Sequence, residues 1–114
     1  MEQFIKIIDT YFLNYDLYEL GKVEFNCHRG ELIFFKGNPN MLTLFGIYIN
    51  PEHRQKGFCR SILQYLIDKS EDKFKYLLIQ SVISKVLYEY LLRFKYKNKN
   101  FKHINHGFLY KIKN

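Results

Sequence analysis

The chain has 114 residues and a mass of 13.9 kDa, enough for one hydrophobic core and not two, so a single domain over residues 1–114 is expected. Apolar residues make up 47% and aromatics 18%, which excludes a disordered chain and allows a core without disulfide staples. The net charge of +7 lies wholly in residues 85–114, where eight Lys or Arg meet one acid, Glu89; the first 84 residues are neutral.

Two cysteines, Cys27 and Cys59, are too few and too far apart for a disulfide framework or a zinc site. A reducing compartment follows as the default. Met1 to Leu13 carries Glu2 and Asp9 inside its apolar stretch, and no apolar run approaches the ~18 residues that a membrane span needs. The expectation is a cytoplasmic protein with no membrane partner, folding alone or as a homodimer.

Phe4, Ile7, Ile8, Tyr11 and Phe12 recur at three- and four-residue spacing and predict an amphipathic helix over residues 2–13. Gly21 to Cys27 alternates apolar and polar, Arg29-Gly30 reads as a tight turn, and Glu31 to Lys36 runs extended again, which predicts a β-hairpin. After the breakers Gly37-Asn38-Pro39-Asn40, the near-continuous apolar run Met41 to Ile49 predicts a central strand stopped by Pro51.

Ile62, Leu63, Leu66 and Ile67 then mark a helix that begins near Gly57, and Phe74 to Ile83 a second buried strand. Val86, Leu87, Tyr90, Leu91 and Phe94 mark another amphipathic helix. Strand, helix, strand, helix with short connections calls for a parallel strand pair and a right-handed crossover, hence an α/β (α+β) fold. Lysine-rich Lys95 to Lys102 reads as a turn, and His106 to Ile112 as a closing strand.

The stretch with the most chemistry is Arg54-Gln55-Lys56-Gly57-Phe58-Cys59-Arg60, between the central strand and the next helix. A loop running from a strand into a helix N-terminus gathers unpaired backbone N–H groups ahead of the positive end of the helix dipole. Gly57 removes a side chain where a phosphate would approach, and Arg54, Lys56 and Arg60 add positive charge. On these residues alone, an anion pocket and an ordinary turn with solvated cations stand level.

The segment Leu44 to Leu63 resembles the acetyl-CoA-binding motif of the GNAT superfamily of acyl-CoA-dependent N-acyltransferases, Arg/Gln-x-x-Gly-x-Gly/Ala after a strand and a proline turn. Arg54 opens the motif, Gly57 takes the first glycine position and Cys59, a departure, the second. Downstream, Ser81 to Leu91 resembles the family's second landmark, with Ser81 where many members carry asparagine and Tyr88 on the tyrosine that protonates the departing thiolate. The Gly-Phe that usually ends that helix is replaced by Arg93-Phe94, one residue late.

The resemblance implies a GNAT-like mixed central sheet with a splayed parallel strand pair, flanking helices and a shortened N-terminal part. It further implies an N-acetyltransferase that passes the acetyl group of acetyl-CoA, its co-substrate, to a primary amine of a small molecule or protein by direct attack. Backbone groups of Ile47 and Ile49 would hold the pantetheine arm and the acetyl carbonyl. Arg54, Gln55, Lys56, Gly57, Phe58, Cys59, Arg60 and Ser81 would line the rest of the cofactor site, and Tyr88 would act as the acid.

Glu24, His28, Glu31 and Glu52 are acids or bases within range of such a cleft, and none stands out as the base that deprotonates the amine. His103 and His106, three apart without a nearby third ligand, make a poor metal signal. Two alternatives stand beside the enzyme. One is a nucleic-acid-binding module built on the basic, aromatic-rich residues 85–114, and the other a catalytically silent scaffold of the same fold.

Overall fold

A computed structural model describes residues 1–54, 57–80, 88–89, 91–93, 100–104 and 107–112. Helix α1 (Glu2–Leu13) forms where helical spacing puts Phe4, Ile7, Ile8, Tyr11 and Phe12 on one buried face. A 3-10 turn, Tyr15–Leu17, leads into the hairpin of β1 (Gly21–Cys27) and β2 (Gly30–Lys36). The hairpin turns at His28-Arg29, one residue earlier than Arg29-Gly30; Gly30 already pairs with Cys27. Glycine is needed there because a Cβ would run into the Tyr48 backbone carbonyl of the next strand.

Strand β3 (Met41–Ile49) follows, then a 3-10 turn at Pro51–His53, helix α2 (Phe58–Ser70) and strand β4 (Tyr76–Gln80). The second buried strand thus starts at Tyr76 and not at Phe74, because Phe74 still closes the end of α2, donating its N–H to Ser70. Positions 81–83 of the expected strand lie outside the described residues. Of the next expected helix, residues 88–89 and 91–93 are helical, and Leu91 is fully buried.

Two further strands close the sheet: β5 (Phe101–Ile104) and β6 (Gly107–Lys111). Strand β5 corrects the end of the expected Lys95 to Lys102 turn, at Phe101 and Lys102; positions 95–99 lie outside the described residues. The strand's lysine and histidine content reflects an edge position, where Lys102, His103 and Ile104 are all exposed.

The sheet has six strands in the order β1-β2-β3-β4-β6-β5, antiparallel except for the pair β3 and β4. Cross-strand partners share a face, so Leu32, Phe34, Leu42, Leu44, Leu77, Ile79 and Phe108 form one apolar surface. Helices α1 and α2 cover it: Tyr11 stacks on Phe34 with centroids 4.1 Å apart, and Phe4 meets Phe58 at 5.9 Å. The opposite face carries Ile33, Phe35 and Phe45, with Lys22 lying 4.7 Å over the Phe45 ring. No helix among the described residues is long and apolar enough to cross a membrane.

Candidate functional site

Strand β3 pairs with β2 in a register that slips between Ile33, opposite Gly46, and Phe34, opposite Leu44, leaving Phe45 as an extra residue. Such a bulge bends and twists its strand. The bend coincides with the last β3–β4 pair, Leu44 with Ile79, so Phe45–Ile49 continue past the ladder that β3 shares with β4.

Beyond the bulge, the direction of the backbone groups is fixed by one bond. The Asn50 N–H donates to Arg29 O over 2.9 Å, toward β2. Successive residues of a strand direct their N–H and C=O to opposite edges. Tyr48 and Asn50 therefore serve β2, and Ile47 and Ile49 turn theirs toward the space beyond the β3–β4 ladder.

Arg54 enters that space. Its Nε donates to Ile49 O over 2.8 Å, and its guanidinium carbon lies 5.3 Å from the centroid of the Tyr48 ring. The 3-10 turn after Pro51 sets it there, with the Arg54 N–H bonded to Pro51 O.

Gly57 precedes α2 in the left-handed region, φ +79° and ψ +13°, and a Cβ there would meet open space. Its conformation and not its volume demands glycine. Among the described residues no side chain caps the helix, whose first-turn N–H groups at Phe58, Cys59 and Arg60 have the helix dipole behind them. Cys59, the departure at the second glycine position, packs against the core. Burial pushes its thiol pKa above the ordinary 9.0, with the nearby Arg54 charge pulling the other way, so its surroundings disfavour the thiolate.

The hairpin turn joins this cluster, which the sequence did not reveal. Asn50 holds it twice, through its N–H on Arg29 O and through Nδ2 on His28 O at 2.6 Å. Arg29 lies 5.3 Å over the Phe58 ring, and the His28 and His53 rings are 5.8 Å apart. The missed signal is topological: with β2 antiparallel to β3, the β1–β2 turn must lie at the end of β3 that carries the loop.

Tyr88 is half-buried on Phe108, with centroids 5.7 Å apart, and its hydroxyl lies 3.3 Å from His103 Nε2. Leu44, Ile79, Phe108 and His103 form one row across β3, β4, β6 and β5. The hydroxyl thus points along the row to the edge strand and away from the β3–β4 opening. His103, set aside as a metal ligand, is its partner. No group of three or more His, Cys, Asp or Glu residues with metal-binding geometry occurs among the described residues. Gln55, Lys56 and Ser81 lie outside the described residues.

A family model for the acetyltransferase (GNAT) family matches residues 17–89, more than half of the chain. Among solved structures, the anti-CRISPR protein AcrVA5 is similar at 11% identity and a TM-score of 0.55, over 81% of this chain and 100% of that one. A GNAT acetyltransferase from Elizabethkingia anophelis with acetyl-CoA bound is 18% identical with a TM-score of 0.53, over 88% of this chain and 62% of its own. The ribosomal-protein-S18-alanine N-acetyltransferase of Escherichia coli gives 16% identity and a TM-score of 0.53, over 86% and 71%. A search of curated proteins returned no match.

Proposed function

This chain belongs to the GNAT family of acetyltransferases, and we propose that it transfers the acetyl group of acetyl-CoA to a primary amine, of a small molecule or of a protein. One observation carries the reading. Arg54 bonds Ile49 O and its charge reaches Cys59 in the first turn of α2, which supports a site where the Ile47 and Ile49 edge would meet a pantetheine arm and the α2 N–H groups a diphosphate.

The thioester would lie beyond the last β3–β4 pair with its carbonyl oxygen toward the Ile47 and Ile49 edge. A backbone N–H aimed there bonds more strongly as that oxygen becomes an anion, an effect of ~2.7–4 kcal/mol per donor in measured cases. The neutral amine nitrogen attacks the carbonyl carbon, the C–N bond forms, the C–S bond breaks, the nitrogen gives up its extra proton to solvent, and the thiolate takes one proton. Arg54, Gln55, Lys56, Gly57, Phe58, Cys59, Arg60 and Ser81 complete the proposed cofactor site.

Tyr88 is the proposed donor of that last proton. Its hydroxyl faces His103, so it would have to turn from β5 toward β3 to reach the sulfur. Tyr88→Phe is expected to lower kcat about 10²-fold with the KM for acetyl-CoA unchanged. An unchanged kcat makes Tyr88 a packing residue on Phe108.

The deciding measurement is calorimetric titration of the protein with acetyl-CoA at moderate salt, followed by an assay of thiol release with a panel of amines. Binding with turnover supports the enzyme. No binding of acetyl-CoA, together with oligonucleotide binding that falls steeply with salt, replaces it with the nucleic-acid reading. Binding without turnover of any amine leaves a silent scaffold.

A further inference from the structure

We propose that the free edge of β1 pairs with the same edge of a second copy of this chain, antiparallel about a two-fold axis at Val23. This interface is independent of the activity proposed above.

Strand β1 ends the sheet, and the pairings fix where its backbone groups point. Tyr48 serves β2, so its partner Glu31 serves β3, and Gly30 and Leu32 serve β1. Their partners Cys27 and Phe25 are thereby taken, which turns the N–H and C=O of Lys22, Glu24 and Asn26 outward. All three residues are exposed, and among the described residues no strand pairs with that edge.

Charge selects the partner and the register. The other free edge, β5, carries Lys102 and His103 in the basic part of the chain, where like charges oppose pairing. Edge β1 lies in the neutral part and carries Lys22 and Glu24. Joining outward groups to outward groups lets Lys22 or Glu24 face its own copy, which sets like charges together. The register between these two, centred on Val23, sets Lys22 against the partner's Glu24 on both sides of the axis. One step further sets Glu24 against Asn26 and gains no ion pair. Lys22, which lies over Phe45 in the single chain, swings across the edge to make its pair.

The same register matches the apolar surface. Leu17 and Leu20 are 81% and 76% exposed just before β1, in a segment that Lys36 ties to the end of β2 through Tyr15 O and Tyr18 O. Toward the other end of β1, a cleft of about 420 Å³ opens against α1, lined by Ile7, Thr10, Phe25, Asn26 and Cys27. Pairing about Val23 sets Leu20 opposite the partner's Asn26, so each copy brings its exposed leucines to the other's cleft. Phe25 falls opposite the partner's Gly21, where a Cβ would meet open space and a ring can cover the glycine.

Sedimentation velocity of the full chain over a concentration series tests the interface. Wild type is expected to form a concentration-dependent dimer of twice 13.9 kDa. Lys22→Glu and Glu24→Lys each set like charges together on both sides of the axis and should raise the dimer Kd about tenfold. The double variant exchanges the charges and should restore the Kd to within about threefold. Glu24→Pro removes an outward N–H, leaves the β1–β2 ladder intact and should be monomeric. Melting temperatures identify any variant that has failed to fold, and the others then carry the comparison. A wild type that stays monomeric at every concentration overturns the proposal. A dimer that folded Glu24→Pro still forms lies on another surface and overturns it too, and single variants that the double does not rescue exclude the register.

Discussion

Tyr11 shows what one side chain adds beyond its hydrophobicity. Its ring is 1% exposed, stacked on Phe34 and edge-on to Phe25 at 6.1 Å, so it contributes as a large core aromatic. Its hydroxyl is buried and finds no hydrogen-bond partner among the described residues. Burial, helped by the neighbouring Tyr15 and Tyr18, raises its pKa so far that it stays neutral at any working pH. An orphaned buried hydroxyl costs ~1–3 kcal/mol. Tyr11→Phe is therefore expected to raise stability by about 1 kcal/mol, read as a higher urea midpoint at unchanged slope. A lower midpoint would mean that the hydroxyl is satisfied. Helical spacing marked Tyr11 as core but treats Tyr and Phe alike, so the orphan was not legible. Gly57 is the opposite case, legible as a glycine but not for its reason. With open space beyond its Cβ, Gly57→Ala is expected to cost ~1 kcal/mol from backbone strain alone, measured in the same denaturation.

Between elements, α1 is fastened to α2 by Asp9. The Tyr65 hydroxyl donates to its carboxylate and Lys69 Nζ lies 3.1 Å away, and together these hold the Asp9 pKa below the ordinary 3.8 against the opposing effect of desolvation. Asp9 in turn raises the Tyr65 pKa, so both partners report the same contact. Since the folded pKa of Asp9 lies below the unfolded one, its contribution is present above pH 3.8 and is lost as the pH falls through the lowered value. Melting curves across that range should show wild type losing an increment that Asp9→Asn never had; parallel curves would remove the contact from the acid response. The elements themselves were largely legible: α1, the hairpin and α2 follow from periodicity, because each buries one face, and β3 from its near-continuous apolar run. Strand β5 was not, because an edge strand with Lys102, His103 and Ile104 exposed buries little and carries no alternation to read. The site divides the same way. Arg54 and Gly57 lie in one contiguous motif, whereas Arg29 and His103 reach their partners only through strand order.

At the scale of the whole molecule, the proposed cofactor site is an interruption of the sheet, so its shape depends on what holds the strands on either side. Phe108 is fully buried on β6 beside Ile79, the last β4 residue paired with β3, and packs on Phe101, His103 and Tyr88. Phe74 is 2% exposed and packs on Phe12 and Tyr15 at the other end of β4. Truncating either to alanine should cost ~3–5 kcal/mol, a large part of the ~5–15 kcal/mol that holds such a domain folded. Their effects on the ligand should differ. A ligand that binds only the native state at a hundred times its Kd adds ~2.7 kcal/mol whatever the starting stability, provided that the site is intact. Phe74→Ala should keep the full increment in melting temperature with acetyl-CoA, because the opening lies at the far end of the strand. Phe108→Ala should lose much of it, because the β4 side of the opening is no longer braced from β6. Equal losses in the two variants would mean that overall stability, and not this row of side chains, sets the width of the opening.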